Sequence, residues 1–159
     1  KSFTKMFGIA GLRLGYLLCG REGLGDMIDK YGCDWNVNCV AEAAGLEALR
    51  SPDYEKEVLH YVEKEREWLY DKLTGLELRV VPGQANYLLF ETPENGRKTD
   101  RTDGSKSGRE SLGDWLLRQG IMIRCCDDYE NLDKTFYRIG INTHEANEKL
   151  MEKIGEWLE

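Results

Sequence analysis

Apolar positions along this chain keep a helical period in some stretches and a strand-like one in others, and the changes of period mark its elements. Residues 12–19 form a continuous apolar, β-prone run between Gly11 and Gly20, which predicts a buried strand. Residues 21–30 predict a short helix that Tyr31-Gly32-Cys33-Asp34 breaks. After Trp35-Asn36-Val37-Asn38, an alanine-rich helix is expected from Cys39 to about Arg50. Ser51-Pro52 restarts the helical period, with serine as cap and proline in the first turn. The next helix lines up Val58, Tyr61, Val62, Trp68, Leu69 and Leu73 at helical spacing and puts charge on its other face.

From residue 78 onward, short strands alternate with helices. Residues 78–81 and 87–91 read as strands separated by Pro82-Gly83. Residues 95–109 are polar, without apolar period, and predict a surface loop. A helix over 112–119 closes on Gly120 at its C′ position. Residues 121–124 and 136–141 are further strands, and Thr143 caps a last helix with Leu150, Met151, Ile154, Trp157 and Leu158 on its apolar face. This order, free of internal repeats, predicts an α/β sandwich.

Composition narrows the function classes. The chain has 159 residues, enough for a packed core, and carries 22 basic against 29 acidic side chains for a net charge of -7. With no basic cluster, nucleic acid is not expected as a partner. No apolar run reaches membrane-spanning length and no signal-peptide pattern opens the chain, so a cytoplasmic protein off the membrane is expected. Its 5 cysteines are odd in number and lack C-x-x-C spacing, which predicts reduced thiols. His60 and His144 have no ligand-type spacing, so no metal site is expected.

The densest chemistry lies at the start. Ser2-Phe3-Thr4-Lys5-Met6-Phe7-Gly8-Ile9-Ala10-Gly11-Leu12-Arg13-Leu14-Gly15 sets a lysine between small hydroxylated residues and a Gly-x-Ala-Gly turn, with an arginine and a glycine at fixed offsets. A lysine amine that sheds its proton attacks carbonyls and forms Schiff bases. A guanidinium grips phosphate bidentately, and glycines such as Gly8 and Gly11 let backbone approach a ligand. Taken singly, Lys5 reads as a solvated lysine and Arg13 as a surface or ion-pair residue.

In register, however, the segment resembles the pyridoxal-phosphate attachment signature of the class I/II aminotransferase family. The resemblance implies that Lys5 holds pyridoxal 5'-phosphate covalently and moves protons at the substrate α-carbon. It implies that Arg13, Ser2 and Thr4 hold the cofactor phosphate. In that family the lysine lies past the middle of the chain. The chain is accordingly expected to be the C-terminal part of a longer, homodimeric enzyme, with turnover only at full length. Residues 1–33 would end the large cofactor-binding domain. Residues 34–159 would form the small C-terminal domain, a small, mostly antiparallel sheet packed with helices.

Two more arginines sit in the strand-rich part. Arg124 falls where strand meets loop, and Arg138 lies inside the apolar strand Phe136-Tyr137-Arg138-Ile139-Gly140-Ile141. A guanidinium in such a strand needs an anionic partner. Without context, a structural ion pair is the plainer reading. The resemblance instead implies that Arg138 binds a substrate carboxylate, with Arg124 as a second substrate anchor. Asn86 matches an Ala-Asn-Tyr/Phe pattern of the family and reads either as a site residue or as a turn cap. Asn38 is a candidate site-lining group. Trp35 and Tyr16 read as packing residues, and Asp127-Asp128 as solvated.

Within the family, the segment Ile123-Arg124-x-Cys126-x-x-Tyr129-x-x-Leu132-Asp133, followed by Phe136-Tyr137-Arg138, is most similar to threonine-phosphate decarboxylases. Those are cobalamin-pathway relatives of the histidinol-phosphate aminotransferases, which stand as the alternative. Cys125 departs from the decarboxylase pattern, where an acidic residue is frequent. Either subfamily implies a small phosphorylated amino acid or amine as substrate. A further alternative is a non-catalytic, cofactor-sensing domain of a transcription regulator.

Overall fold

The computed structural model describes residues 1–93 and 110–159, and the polar stretch expected as a surface loop lies outside them. The described residues divide into two compact units, Lys1–His60 and Tyr61–Glu159, with the division falling inside a helix.

The first unit opens with α1 (Phe3–Met6) and a 3-10 turn (Ala10–Leu12), followed by α2 (Leu24–Tyr31), α3 (Cys39–Leu49) and the first half of α4 (Pro52–Gly75). The strand expected over 12–19 is reduced to one antiparallel bridge, Ser2 with Gly15. A strand exists only where backbone finds a neighbour. Within this unit residues 1–3 alone supply one, through Phe3 N–H to Leu14 O at 3.1 Å and Tyr16 N–H to Lys1 O at 2.8 Å. Leu17 and Leu18 beyond them are exposed. Gly15 is needed at the bridge, because a Cβ there would meet Lys1 O at 2.9 Å. Tyr16 packs as expected, its ring 5.8 Å from that of Phe3. Trp35 does not: it is 97% exposed, in a left-handed turn position at φ 58°. Ser51 also departs from its expected role, since its hydroxyl donates back to Glu47 O at 3.0 Å and serves the end of α3.

The second unit is a four-stranded antiparallel sheet with helices on one face. Its strands are β1 (Arg79–Val81), β2 (Tyr87–Glu91), β3 (Arg124–Cys125) and β4 (Phe136–Gly140), in the order β1-β2-β4-β3. Alternation sorts the side chains: Val80, Leu88, Phe90, Tyr137 and Ile139 point inward. Against them lie Leu69 and Leu73 of α4, Leu112 and Leu116 of α5 (Leu112–Arg118), and Leu150, Met151, Ile154 and Trp157 of α6 (His144–Leu158). The opposite face therefore receives Tyr87, Leu89, Phe136 and Arg138. The strand expected over 121–124 forms three residues later than its start implied, at Arg124. Residues 119–121 are taken up in closing α5, with Gly120 at φ 75° and Ile121 N–H bonded to Leu116 O at 2.9 Å.

Thr143 caps α6 through Ala146 N–H, as the sequence predicts. Thr143→Ala is expected to lower stability by about 1 kcal/mol in urea unfolding, whereas Thr143→Ser should leave it nearly unchanged. Among the described residues no helix is long and apolar enough to cross a membrane. None of their His, Cys, Asp and Glu side chains cluster in threes suited to a metal ion.

Candidate functional site

The first group of site residues is organised by the Ser2–Gly15 bridge, which pinches residues 3–14 into a closed loop. Ser2 stands at the N-cap of α1 and accepts Thr4 N–H at 3.2 Å, while its hydroxyl meets that of Thr4 at 2.8 Å. Lys5 follows on the same turn, exposed and without a carboxylate partner among the described residues. Gly8 at φ 65° and Arg13 at φ 56° take left-handed conformations that turn the chain back toward its start. Left-handed backbone is unfavourable for a residue with a Cβ, so Arg13 is held by its surroundings. Among the described residues its guanidinium donates only to Ala10 O, at 3.1 Å. Two hydroxyls and two cations with no acidic partner among the described residues make a donor set suited to an anionic, aldehyde-bearing cofactor.

Asn38 belongs to the same unit but spends its side chain locally. Its oxygen accepts Ala41 N–H at 2.8 Å as the N-cap of α3, and its amide donates to Leu12 O at 3.4 Å. It thus ties the start of α3 to the residue before Arg13.

The second group lies on the open face of the sheet in the other unit. Arg124 of β3 and Arg138 of β4 are direct cross-strand partners. Like charges at opposed positions repel, so this pairing stabilises the sheet only when anions neutralise it. Arg138 is half-buried, not enclosed in the core as its apolar strand implied, because alternation turns it away from the helices. The acidic partner expected for it is also missing among the described residues. Instead its guanidinium donates to Tyr129 Oη at 3.4 Å and lies 5.1 Å from the Tyr87 ring centre. Arg124 differs, because it is ion-paired to Asp128 and stacks 5.7 Å from the Tyr129 ring centre. Hydrogen bonding to Asp128, then its charge, raises the Arg124 pKa. Next to them, burial pushes the Cys126 thiol up despite the charges of Arg138 and Arg124, so it is an inert packing thiol.

Asn86 sits just before β2. Its backbone oxygen accepts Ile141 N–H at 3.0 Å, and Arg66 fastens the preceding turn through Gln84 O at 3.3 Å and Ala85 O at 3.4 Å. The Asn86 side chain is exposed and makes no turn-capping hydrogen bond among the described residues. Sequence reasoning missed three neighbours of the arginines: Tyr87, Tyr129 and Asp128. Alternation along β2 puts Tyr87 on the arginine face and could have found it. Asp128 and Tyr129 depend on how the 126–135 loop folds, with Tyr129 N–H bonded to Cys126 O at 3.1 Å and Leu132 N–H to Tyr129 O at 3.1 Å.

Comparison with known proteins bears on what this arrangement serves. The histidinol-phosphate aminotransferase of Methanothermobacter thermautotrophicus is 32% identical over 98% of this chain, which spans 39% of that protein. The threonine-phosphate decarboxylase of Salmonella typhimurium is 34% identical over 97% of this chain, again 39% of that protein. The chain therefore spans about two-fifths of the length of these relatives. The crystal structure of the histidinol-phosphate aminotransferase from Clostridium acetobutylicum superposes on 99% of the chain with a TM-score of 0.84 at 28% identity, covering 44% of its own length. The family model for aminotransferase class I and II matches residues 1–154, from the lysine loop through the sheet and into α6. On that match the chain belongs to the class I and II aminotransferases, a family of pyridoxal-phosphate-dependent enzymes.

Proposed function

We propose that this chain supplies the cofactor lysine and the substrate anchors of a pyridoxal-phosphate-dependent enzyme acting on a small phosphorylated amino acid or amine. The observation that carries the substrate class is the opposed pair Arg124 and Arg138, two arginines at facing register positions of neighbouring strands. Such a pair suits a ligand with two anionic groups, or one dianionic group, since each charge gains a planar donor fork.

In this reading residues 1–33 complete the cofactor-holding part and residues 34–159 form the small domain. Lys5 holds the cofactor and carries a proton to and from the substrate α-carbon. Ser2, Thr4 and Arg13 hold the phosphate of the cofactor, whose ring supplies an electron sink when bound. Arg138 and Arg124 fix the substrate's charged groups, and so decide which bond at the α-carbon faces the ring. If they hold a phosphate, a carboxylate is left free to depart as carbon dioxide. If Arg138 holds the carboxylate, the proton leaves instead.

The narrower reading is a threonine-phosphate decarboxylase, supported by the 123–138 segment and by the Salmonella typhimurium relative. A histidinol-phosphate aminotransferase is the second reading, because relatives bearing that name are the more frequent. The full-length, cofactor-loaded protein decides between them. Carbon dioxide release from threonine phosphate is expected; amino transfer from histidinol phosphate without release would install the second reading. Failure on both substrates would remove the proposed substrate class.

A further inference from the structure

Between Arg124 and Arg138 there is an asymmetry that their sequence positions do not announce. Arg138 has a phenol and an aromatic face as neighbours but no carboxylate among the described residues. Arg124 already holds one, the side chain of Asp128. The loop from Cys126 to Thr135 is folded to deliver it. Successive turns bond Tyr129 N–H to Cys126 O and Leu132 N–H to Tyr129 O, both at 3.1 Å, and Asp133 pins the far end by accepting Thr135 N–H at 2.8 Å. Tyr129, next to Asp128, reaches both cations at once: its ring lies against Arg124 and its hydroxyl against Arg138. Asp128 remains 58% exposed and Arg124 49% exposed, so the pair is open to water and to competing ions.

Building on the proposed substrate class, we propose that Asp128 is a resident anion that an incoming anionic ligand must displace from Arg124, and that it thereby sets an affinity threshold for anions at this site. The threshold follows from what is exchanged. A ligand carboxylate that replaces Asp128 trades one carboxylate for another and gains almost nothing at Arg124. A phosphate dianion brings more charge and three acceptor oxygens, enough to span Arg124 and Arg138 together. Displaced, Asp128 swings into solvent without breaking any core contact. The repulsion between the two arginines is thus neutralised in both states, by Asp128 without ligand and by phosphate with it.

The test is anion binding rather than turnover, on the full-length protein saturated with cofactor so that the Arg13 loop is already filled. Inorganic phosphate and acetate are titrated, by calorimetry or by phosphorus and proton NMR, against the wild type, Asp128→Asn and Arg138→Leu. Asp128→Asn keeps the shape of the side chain and removes its charge. It is expected to bind phosphate roughly two- to fivefold tighter, the range an exposed ion pair withholds. Acetate affinity should rise by a similar factor, because both anions displace the same side chain, with phosphate remaining the tighter ligand. Arg138→Leu should lose the phosphate signal, which locates it at this site. Weaker or unchanged phosphate binding by Asp128→Asn overturns the role of Asp128 and leaves the anion site standing. Absence of phosphate binding in both wild type and Asp128→Asn overturns the anion site along with it.

Discussion

Lys5→Ala in the full-length protein is expected to lower turnover by roughly a thousandfold or more, since in the proposed reading it removes both the covalent anchor of the cofactor and the base at the α-carbon. The expectation rests on where the amine stands. Lys5 is exposed on the loop closed by the Ser2–Gly15 bridge, and no acidic group among the described residues ties it down. Lys5→Arg separates the two contributions of the side chain. It keeps a cation at this position but offers no nucleophile, because guanidinium does not deprotonate in proteins. Both variants should therefore be equally inactive while Lys5→Arg retains more of the cofactor through its charge. Borohydride reduction of the loaded wild type followed by peptide mapping should leave the cofactor label on Lys5. A label on another lysine, or an alanine variant within tenfold of wild type, would remove Lys5 from its role.

The family was legible in the lysine loop because its signature lies in register: Ser2, Lys5, Gly8, Arg13 and Gly15 are close in sequence, and short range fixes their geometry. The Gly15 contact with Lys1 O and the turn at Gly8 are the physical content of that register. Helices α3, α4 and α6 were equally readable, since a 3.6-residue period and a cap are local signals. What failed was whatever depends on a distant neighbour. Residues 12–19 have a strand's composition, yet only one bridge forms among the described residues. The face Arg138 occupies was also misjudged, although alternation with the buried Tyr137 and Ile139 carried the information. Asp128 is solvated as its charge implied, but its pairing with Arg124 depends on the loop turns that bring it there. Glu65 was the largest omission, a charge on the apolar side of a helix otherwise read correctly.

Glu65 is 2% exposed, and its neighbour Asn147 1%, in the middle of the α4–α6 contact. Burying a carboxylate is unfavourable unless donors surround it. Here Asn147 Nδ2 donates to it at 3.0 Å and His144 Nδ1 meets both its oxygens at 3.0 and 3.1 Å. A carboxylate only accepts, so His144 must carry its proton on Nδ1, and the edge-on Trp68 ring 4.8 Å away holds the imidazole in place. Asn147 also clamps the turn before α6, donating to Asn142 O at 3.1 Å and accepting Asn142 N–H at 3.2 Å. Asn147→Ala strips a donor from a buried charge and orphans that turn, and should destabilise the fold by about 3 kcal/mol in urea unfolding. Burial by itself would raise the Glu65 pKa, but the hydrogen bonds from Asn147 and His144, with the charges of His144 and Lys64, outweigh it and bring it below 4.5. A lowered folded value means that this stabilisation is complete above the unfolded value and is lost as pH falls through the folded one. Stability measured from pH 6 downward should therefore fall more steeply in wild type than in Glu65→Gln, and in Asn147→Ala the acid loss from this group should be smaller, because removing that hydrogen bond moves the folded value back up. Identical acid limbs in wild type and Glu65→Gln, or an Asn147→Ala variant within about 1 kcal/mol of wild type, would show that the buried carboxylate is not what holds α4 to α6.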